Sequence, residues 1–172
     1  LQPLGMDSTG FNDNFKRIRK NRALGYEPAE DSDTGDYQTA VSFCGGYGDG
    51  AILTTIGDLF RWDQNFYHNC LGDGSPELIT QILTPAALNS GEMTNYSFGL
   101  MVRDYKGLRL ISHGGAWAGY RAEMIRFPDQ RLSVICLANL TSINPSGLAL
   151  QVAVLYLSDH LSETTSAAGA EI

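Results

Sequence analysis

Four short runs of β-type sequence follow one another between residues 96 and 140, with almost no chain between them. The runs are YSFGLMVRDY, GLRLISH, GYRAEMIRF and RLSVICLANL. Lys106-Gly107 and Pro128-Asp129 supply turn-forming residues between the first and the last pairs of runs. Because a parallel crossover needs about a dozen residues or more, connections this short predict antiparallel neighbours. The sequence therefore predicts an antiparallel meander of about four strands.

Helical sequence precedes this meander. Thr55 and Asp58 have the spacing of a capping box, with Asp in place of the usual Glu. Apolar residues then recur at helical spacing and predict a helix near 56–69. A second helix is predicted between Ser75, its N-cap, and Pro85, which stops it.

A long apolar segment follows the meander. SGLALQVAVLYLSDHL is apolar nearly all round and predicts a buried helix. The last β-type run is also apolar on both faces, as in a strand covered on both sides, yet only one helix follows it. Together these elements predict an α+β fold. The expected organisation is a loop-rich and helical segment over 1–95, the sheet and long helix over 96–163, and a flexible tail over 164–172.

The segment between residues 24 and 50 is rich in Gly, Asp, Ser and Thr. This composition predicts an irregular, mostly exposed segment. Its last six residues, GGYGDG, resemble a phosphate-binding loop but match neither of the two common nucleotide-binding patterns. A turn leading into the helix at Thr55 is the better interpretation.

Charge, cysteine and histidine content argue against several classes of function. The 12 basic and 19 acidic side chains give a formal net charge of −7, which argues against a nucleic-acid partner. The one basic run, FKRIRKNR, is interpreted as solvated surface. No C-x-x-C and no H-E-x-x-H is present, so neither a metal site nor a cofactor is predicted. No apolar run approaches the roughly 20 residues of a transmembrane helix, and the sequence leaves the compartment open.

His113 is the only histidine that stands among glycines, in the run His113-Gly114-Gly115-Ala116. The two glycines would let another backbone approach, or leave main-chain N–H groups facing a ligand. Such an N–H can stabilise an oxyanion, with the imidazole supplying a proton or a hydrogen bond. Taken alone, the residues favour the plainer alternative, a histidine that ends a strand before a Gly-rich turn.

The chain contains no recognisable activated nucleophile. It has no G-x-S-x-G motif, and no Ser is followed three residues later by Lys. Ser112 precedes His113 but alternates to the opposite face of the predicted strand, so it is not proposed as a nucleophile.

Many ordered blocks resemble the C-terminal half of serine β-lactamase-like proteins. This group includes class C β-lactamases, D-alanyl-D-alanine carboxypeptidases and esterases. The blocks include LQPLGMDSTGF, GYGDGAILTTIGDLFRWDQ, ILTPAAL, the whole meander and the closing helix, and they extend over residues 1 to about 162. The resemblance implies the β-lactamase/transpeptidase-like fold in part, without specifying a substrate.

The family site combines Ser-x-x-Lys, Tyr-x-Asn and a Lys/His-Thr/Gly-Gly triplet. His113-Gly114-Gly115 matches the triplet. The resemblance therefore implies an electrostatic and proton-relay role for His113, and half of an oxyanion hole from the N–H of Ala116. By the same resemblance, a histidine in place of lysine favours a peptidase or an esterase over a true β-lactamase.

The chain departs from the family pattern because Ser-x-x-Lys is absent. Without that nucleophile and base, only binding and electrostatic contributions are left, so the chain is predicted to be inactive alone. Tyr67-His68-Asn69 spells Tyr-x-Asn, but it falls inside the predicted 56–69 helix and is interpreted as a coincidence.

Two hypotheses follow. The first is a C-terminal fragment of a penicillin-recognising serine hydrolase, whose complete form hydrolyses an ester, a D-Ala-D-Ala-like peptide or a β-lactam through an acyl-enzyme. The second is a non-catalytic binding or assembly module derived from the same fold. Both predict self-association, because an N-terminal half absent from this chain would leave a sheet edge unpaired and apolar area exposed.

Overall fold

The computed structural model describes residues 1–14, 16–30, 35–42, 48 and 50–162. In chain order the strands and α-helices are β1 (Gly10–Phe11), β2 (Tyr26–Pro28), β3 (Tyr37–Thr39), β4 (Ile52–Leu53), α1 (Ile56–Asn65), α2 (Pro76–Ile82), β5 (Tyr96–Ser97), β6 (Leu100–Tyr105), β7 (Leu108–Trp117), β8 (Tyr120–Phe127), β9 (Leu132–Ala138) and α3 (Pro145–Leu157). Helices therefore precede an antiparallel sheet that one long helix closes. The predicted α+β class is confirmed.

One antiparallel sheet holds five strands in the order β5-β6-β7-β8-β9. All four predicted runs form strands in it, but the first run is divided between β5 and β6. Phe98 and Gly99 take positive φ angles of 42° and 82° and turn the chain between these two strands. The sheet therefore has five strands where about four were predicted, since a tight turn at a phenylalanine carries no sequence signal.

Two further pairs of strands lie outside this sheet. β1 pairs with β4, and β2 pairs with β3, both antiparallel. The prediction of irregular structure over 24–50 was therefore incomplete, because it missed the β2–β3 hairpin. All three residues of β3 are exposed, so no apolar alternation marks it in the sequence. Most of the GGYGDG run and the predicted tail over 164–172 lie outside the described residues.

α3 packs on one face of the sheet, against β8 and β9. Asn144 caps the helix by accepting a hydrogen bond of 2.9 Å from the N–H of Gly147. The buried core between helix and sheet consists of Leu110, Ile125, Phe127, Ala149, Ala153 and Leu157. Apolar burial on this scale is the main favourable contribution to folding.

The opposite side of α3 is open among the described residues. We call this surface the α3 stripe: Leu148, Val152, Leu155 and Tyr156, all exposed. Leu155 keeps 79% of its surface accessible. The prediction of a buried helix was therefore right for one side only, because an all-round apolar sequence does not tell how many neighbours the fold supplies.

α1 lies against the other face of the sheet through a buried ion pair. Asp63 accepts hydrogen bonds from Nε of Arg126 at 2.5 Å and from Oγ of Ser133 at 2.6 Å. Asp63 and Arg126 are only 4% and 1% exposed. Arg126 stands between Ile125 and Phe127, which face α3, so strand alternation turns it to the opposite side.

α1 begins where the sequence predicts but ends earlier. Oγ1 of Thr55 accepts a hydrogen bond of 3.2 Å from the N–H of Asp58, as the capping spacing predicts. The helix ends at Asn65, so the predicted extent of 56–69 was too long. Oδ1 of Asn65 accepts from the N–H of Cys70 at 2.8 Å and holds the following residues in a turn.

Candidate functional site

The candidate site lies where β7 extends beyond its neighbour β6. β6 pairs with β7 only as far as Met101 opposite Ser112, whereas β8 pairs with it up to Trp117. On the β6 side, residues 113–117 therefore have no strand partner among the described residues, and all five are exposed. We call this segment the free edge of β7. His113 was predicted to end a strand, but β8 supplies pairing for four residues more.

The pairing pattern decides which main-chain groups face the free edge. Trp117 and Tyr120 close a two-residue turn, and such a closing pair exchanges its hydrogen bonds. Bonded and non-bonded pairs alternate along an antiparallel ladder. We therefore infer that Gly114 and Ala116 direct their N–H and C=O groups away from β8, toward the free edge.

The tip of the β7–β8 hairpin packs against the loop before β2. A Cβ atom on Gly119 would lie 2.4 Å from Cα of Gly25, and one on Gly25 would lie 2.8 Å from Cα of Gly119. Beside this contact, the hydroxyl of Tyr120 donates to the carbonyl oxygen of Ala23 at 2.7 Å. The backbone contact and the Tyr120 hydrogen bond therefore hold the hairpin tip, at the end of the free edge, against the loop before β2.

Tyr96 contacts the imidazole of His113. Its Oη lies 3.1 Å from Nε2 of His113, with the ring centroids 6.1 Å apart and the rings tilted by 55°. The next residue, Ser97, is buried, and its Oγ lies 2.7 Å and 2.6 Å from the carbonyl oxygens of Ile82 and Thr84. β5 is thus anchored to the end of α2, and Tyr96 fixes one nitrogen of His113.

A buried carboxylate lies beside the next residue of the triplet. Glu123 of β8 stands directly opposite Gly114 and is 7% exposed. The hydroxyl of Ser146, in the first turn of α3, donates to Oε2 of Glu123. A Cβ atom on Gly114 would lie 2.9 Å from the same oxygen. Glu123 therefore occupies the space that a side chain at 114 would need.

Sequence reasoning missed both Tyr96 and Glu123. Tyr96 precedes His113 by 17 residues, and Glu123 is the single acidic residue of the β-type run GYRAEMIRF. Neither belongs to a motif in the chain. Only the register of β5 through β8 brings them to the triplet.

Ser112 lies on the side of β7 that faces away from His113. It is opposite Ile125, a core residue against α3, and is itself buried. Its Oγ lies 3.3 Å from Nη2 of Arg103. This placement agrees with the alternation used to set Ser112 aside.

The Tyr-x-Asn sequence at 67–69 follows α1 and does not lie inside it, contrary to the prediction. The guanidinium of Arg126 stands 5.0 Å from the ring centroid of Tyr67. Nδ2 of Asn69 lies within hydrogen-bond distance of the carbonyl oxygens of Leu71 and Ser75. These structural contacts support the interpretation that the sequence match is a coincidence.

The described part of the chain holds neither a metal-binding cluster nor a membrane-spanning helix. No group of three or more His, Cys, Asp or Glu residues there is arranged to hold a metal ion. No helix in those ranges has both the length and the apolar character needed to span a membrane.

Comparison with known proteins gives a match to one family model and matches to parts of longer proteins. Residues 1–157 match the family model described as Beta-lactamase. Penicillin-binding protein 4* of Bacillus subtilis (strain 168) is 39% identical over 95 residues, which cover 54% of this chain and 20% of that protein. A D-aminopeptidase of Brucella anthropi is 32% identical over 92 residues, which cover 54% of this chain and 17% of that protein. The chain thus matches about a fifth of the length of these relatives.

Solved structures show the same fold. The octameric penicillin-binding protein homologue from Pyrococcus abyssi superposes with a TM-score of 0.75 at 24% identity, covering 92% of this chain and 36% of the other. A penicillin-binding protein from Bacillus halodurans gives a TM-score of 0.68 at 23% identity, covering 91% of this chain and 46% of the other. The arrangement of sheet and helices described above is therefore that of penicillin-binding proteins.

Proposed function

The chain belongs to the Beta-lactamase family of hydrolases, and on that premise we propose that it carries the substrate-binding strand of a penicillin-recognising serine hydrolase. The observation that carries the proposal is the free edge of β7. There the matched triplet, with His113 at its start, lies on an exposed segment that, among the described residues, is paired on one side only. An extended substrate would complete the pairing on the open side.

Each residue of this strand has a role in the proposed site. The N–H of Ala116, inferred to face the free edge, stabilises the oxyanion that develops on the substrate carbonyl. His113 supplies positive potential or relays a proton, and Tyr96 fixes its ring at Nε2. Gly114 and Gly115 allow the substrate backbone to lie close to the strand.

The nucleophile of the proposed reaction lies outside this chain, which has no Ser-x-x-Lys. In the complete protein a serine hydroxyl attacks the carbonyl and its proton passes to a neighbouring base. The tetrahedral intermediate collapses to an acyl-enzyme as the leaving group departs with a proton, and water then hydrolyses the acyl-enzyme. The substrate is an ester, a D-Ala-D-Ala-like peptide or a β-lactam. The names of the two relatives, penicillin-binding protein and D-aminopeptidase, support this range.

The test compares this chain with the complete protein. By this we mean the longer protein of which, as the resemblance implies, the chain is a part. Both are treated with a fluorescent penicillin and a fluorophosphonate, and turnover of a nitrophenyl ester is measured. We expect no label on this chain and stable labelling of the complete protein. His113→Ala in the complete protein should lower ester turnover by about a hundredfold, the usual loss of one general acid–base group.

His160→Ala serves as the matched control, since His160 lies beyond the end of α3 and takes no part in the proposed site. It should leave turnover unchanged. Covalent labelling of a serine within this chain would overturn the proposal that the nucleophile lies elsewhere. Equal turnover by the His113→Ala variant and the unmodified protein would remove His113 from the mechanism.

The second candidate, a non-catalytic binding or assembly module, is favoured by one observation. The α3 stripe exposes four apolar side chains on one side of a helix, a surface typical of an interface. The two candidates differ in the complete protein. A binding module would associate through the α3 stripe and would take neither label.

A further inference from the structure

We propose that a cavity beside the β1–β4 pair binds a small dianion, either a phosphomonoester or a dicarboxylate. The inference goes beyond the proposed function and does not depend on it. It concerns the basic run FKRIRKNR, to which the proposed site gives no role. Part of that run lines the cavity through the side chains of Arg19, Lys20 and Arg22.

The first step is the size and position of the cavity. It lies between the start of β1, the junction of β4 with α1, and a turn over residues 19–22. A hydrogen bond of 3.4 Å from the N–H of Arg22 to the carbonyl oxygen of Arg19 closes this turn. The cavity volume of about 290 Å³ is close to the lower limit of about 300 Å³ for small-molecule sites. The cavity therefore accommodates a small ligand.

The second step is the charge of the lining. Against the three basic residues stands one acidic residue, Asp7, so the lining has an excess of positive charge in a chain of net charge −7. Lys20 takes part in no ion pair among the described residues. Asp13 lies 3.4 Å from Arg19, but it also pairs with Arg17, outside the cavity, at 3.9 Å. A cleft lined by one sign of charge concentrates the opposite ion, and a dianion balances this excess.

The third step is the fixed position of the two guanidinium groups. Nη2 of Arg19 donates to the carbonyl oxygen of Phe11 at 2.6 Å. Nε of Arg22 donates to Oη of Tyr120 at 3.2 Å, and its guanidinium stands 5.7 Å from the ring centroid of Tyr120. These partners are neutral, so they orient both groups without cancelling their charge. Binding then needs little further ordering, and the planar donors suit phosphate and carboxylate oxygens.

A buried acid behind the lining does not oppose an anion, because its own charge is balanced. Asp58 is 2% exposed, and its Oδ1 accepts from Nη1 of Arg61 at 2.8 Å. Its Oδ2 accepts from the hydroxyl of Thr9 at 2.7 Å and from the N–H of Ser8 at 2.9 Å. The hydroxyls of Thr9 and Thr54, 2.8 Å apart, therefore form a neutral wall opposite the basic turn.

The test measures binding of inorganic phosphate and of succinate to this chain by NMR, at constant ionic strength and at a mildly alkaline pH where both are dianions. Both should shift the amide signals of Gly10 and Asn21, which line the cavity, and leave that of Gly147 in α3 in place. Acetate, with one charge, should bind about fivefold more weakly, as loss of one charge contact in water predicts. Tighter binding of phosphate than of succinate would identify the ligand as a phosphomonoester, and the reverse as a dicarboxylate.

Two substitutions of opposite sign test whether the charge of the lining determines binding. Lys20→Gln should weaken phosphate binding by about fivefold, and Asp7→Asn should strengthen it by about the same factor. Both residues are exposed, so neither change removes a buried contact. Lys106→Gln is the matched control, because it removes the same charge from an exposed position in the β6–β7 turn, and it should leave the affinity unchanged.

Three results would overturn the inference. The first is that neither dianion shifts the Gly10 and Asn21 signals at millimolar concentration, and the second is that Gly147 shows shifts of equal size. Both are read on the unmodified chain and need no variant to fold. The third is equal weakening by Lys20→Gln and Lys106→Gln, since the anion would then respond only to net charge. The proposed function is decided separately, by labelling of the complete protein.

Discussion

Tyr67 places its hydroxyl in a buried position where no partner for it lies among the described residues. Burial raises the pKa of this phenol, and the nearby Arg126 guanidinium partly opposes that rise. A raised pKa means that the fold favours the neutral phenol. The folded state therefore loses stability as the pH rises from 10, the ordinary pKa, through the raised value, and below pH 10 this loss is absent.

We expect Tyr67→Phe to stabilise the chain by about 1 kcal/mol at pH 7, since it removes a buried polar group without a partner. The variant should also lose less stability than the unmodified chain when the pH is raised above 10. Urea unfolding at pH 7 and at alkaline pH measures both effects. Tyr37→Phe, at an exposed position, is the control, and a destabilised Tyr67→Phe at pH 7 would show that the hydroxyl has a partner.

The residues of the candidate site differ in how readily they can be predicted from the sequence. His113 and the two glycines after it are contiguous, so a motif resemblance was enough to single them out. Tyr96 and Glu123 reach the same place only through strand register, which shifts every facing residue if it slips by one position. From the sequence alone, neither the β5–β6 turn nor the exact register of β7 with β8 can be predicted.

The ion pair between Asp63 and Arg126 joins two elements, α1 and the sheet. It is buried on both sides and also holds Ser133 of β9. Removing one member leaves the other as an uncompensated buried charge. We expect Asp63→Ala to reduce the free energy of unfolding by about 3–5 kcal/mol.

The double variant Asp63→Leu with Arg126→Met should recover most of that loss, because it removes both charges and keeps apolar volume. Chemical denaturation of the single and double variants measures the difference. Asp13→Ala is the control, since its pairs with Arg17 and Arg19 are solvent-exposed and worth less than about 1 kcal/mol. A double variant less stable than Asp63→Ala would mean that the attraction within the pair affects stability more than the cost of a lone buried charge does.

Elements were predictable where local chemistry determines them. The Lys106-Gly107 turn and the Thr55 cap depend on a few adjacent residues, and the structure has both. The end of α1 was not predictable, because aromatic residues beyond Asn65 fit the helical period but follow a turn that the Asn65 side chain holds. The β2–β3 hairpin is polar and exposed, so it leaves no periodic pattern.

At the scale of the whole molecule, the α3 stripe is an apolar surface without a neighbour among the described residues. Within the same described part of the chain β9, at one edge of the sheet, pairs with β8 only. Such a surface and edge favour association between molecules. We therefore expect this chain to form dimers or larger species at micromolar concentration.

Sedimentation velocity measures this directly. Leu155→Glu, which places a charge at the centre of the α3 stripe, should shift the chain toward monomer. Ile18→Glu is the matched control, because Ile18 is also exposed but lies in a loop before β2, and it should leave the distribution unchanged. A clean monomer for the unmodified chain at micromolar concentration would contradict the expectation.

The contact between Gly25 and Gly119 has a consequence for how this protein can evolve. Neither position has room for a methyl group, so a replacement at one cannot be compensated by any side chain at the other. Tyr96, in contrast, contacts His113 through its side chain, so a replacement there changes the surroundings of the imidazole and leaves the contact between the two glycines in place. Mutant libraries aimed at new substrates should therefore vary the faces of β7 and β8 and keep both glycines, since displacing Gly119 displaces Ala116 three residues away.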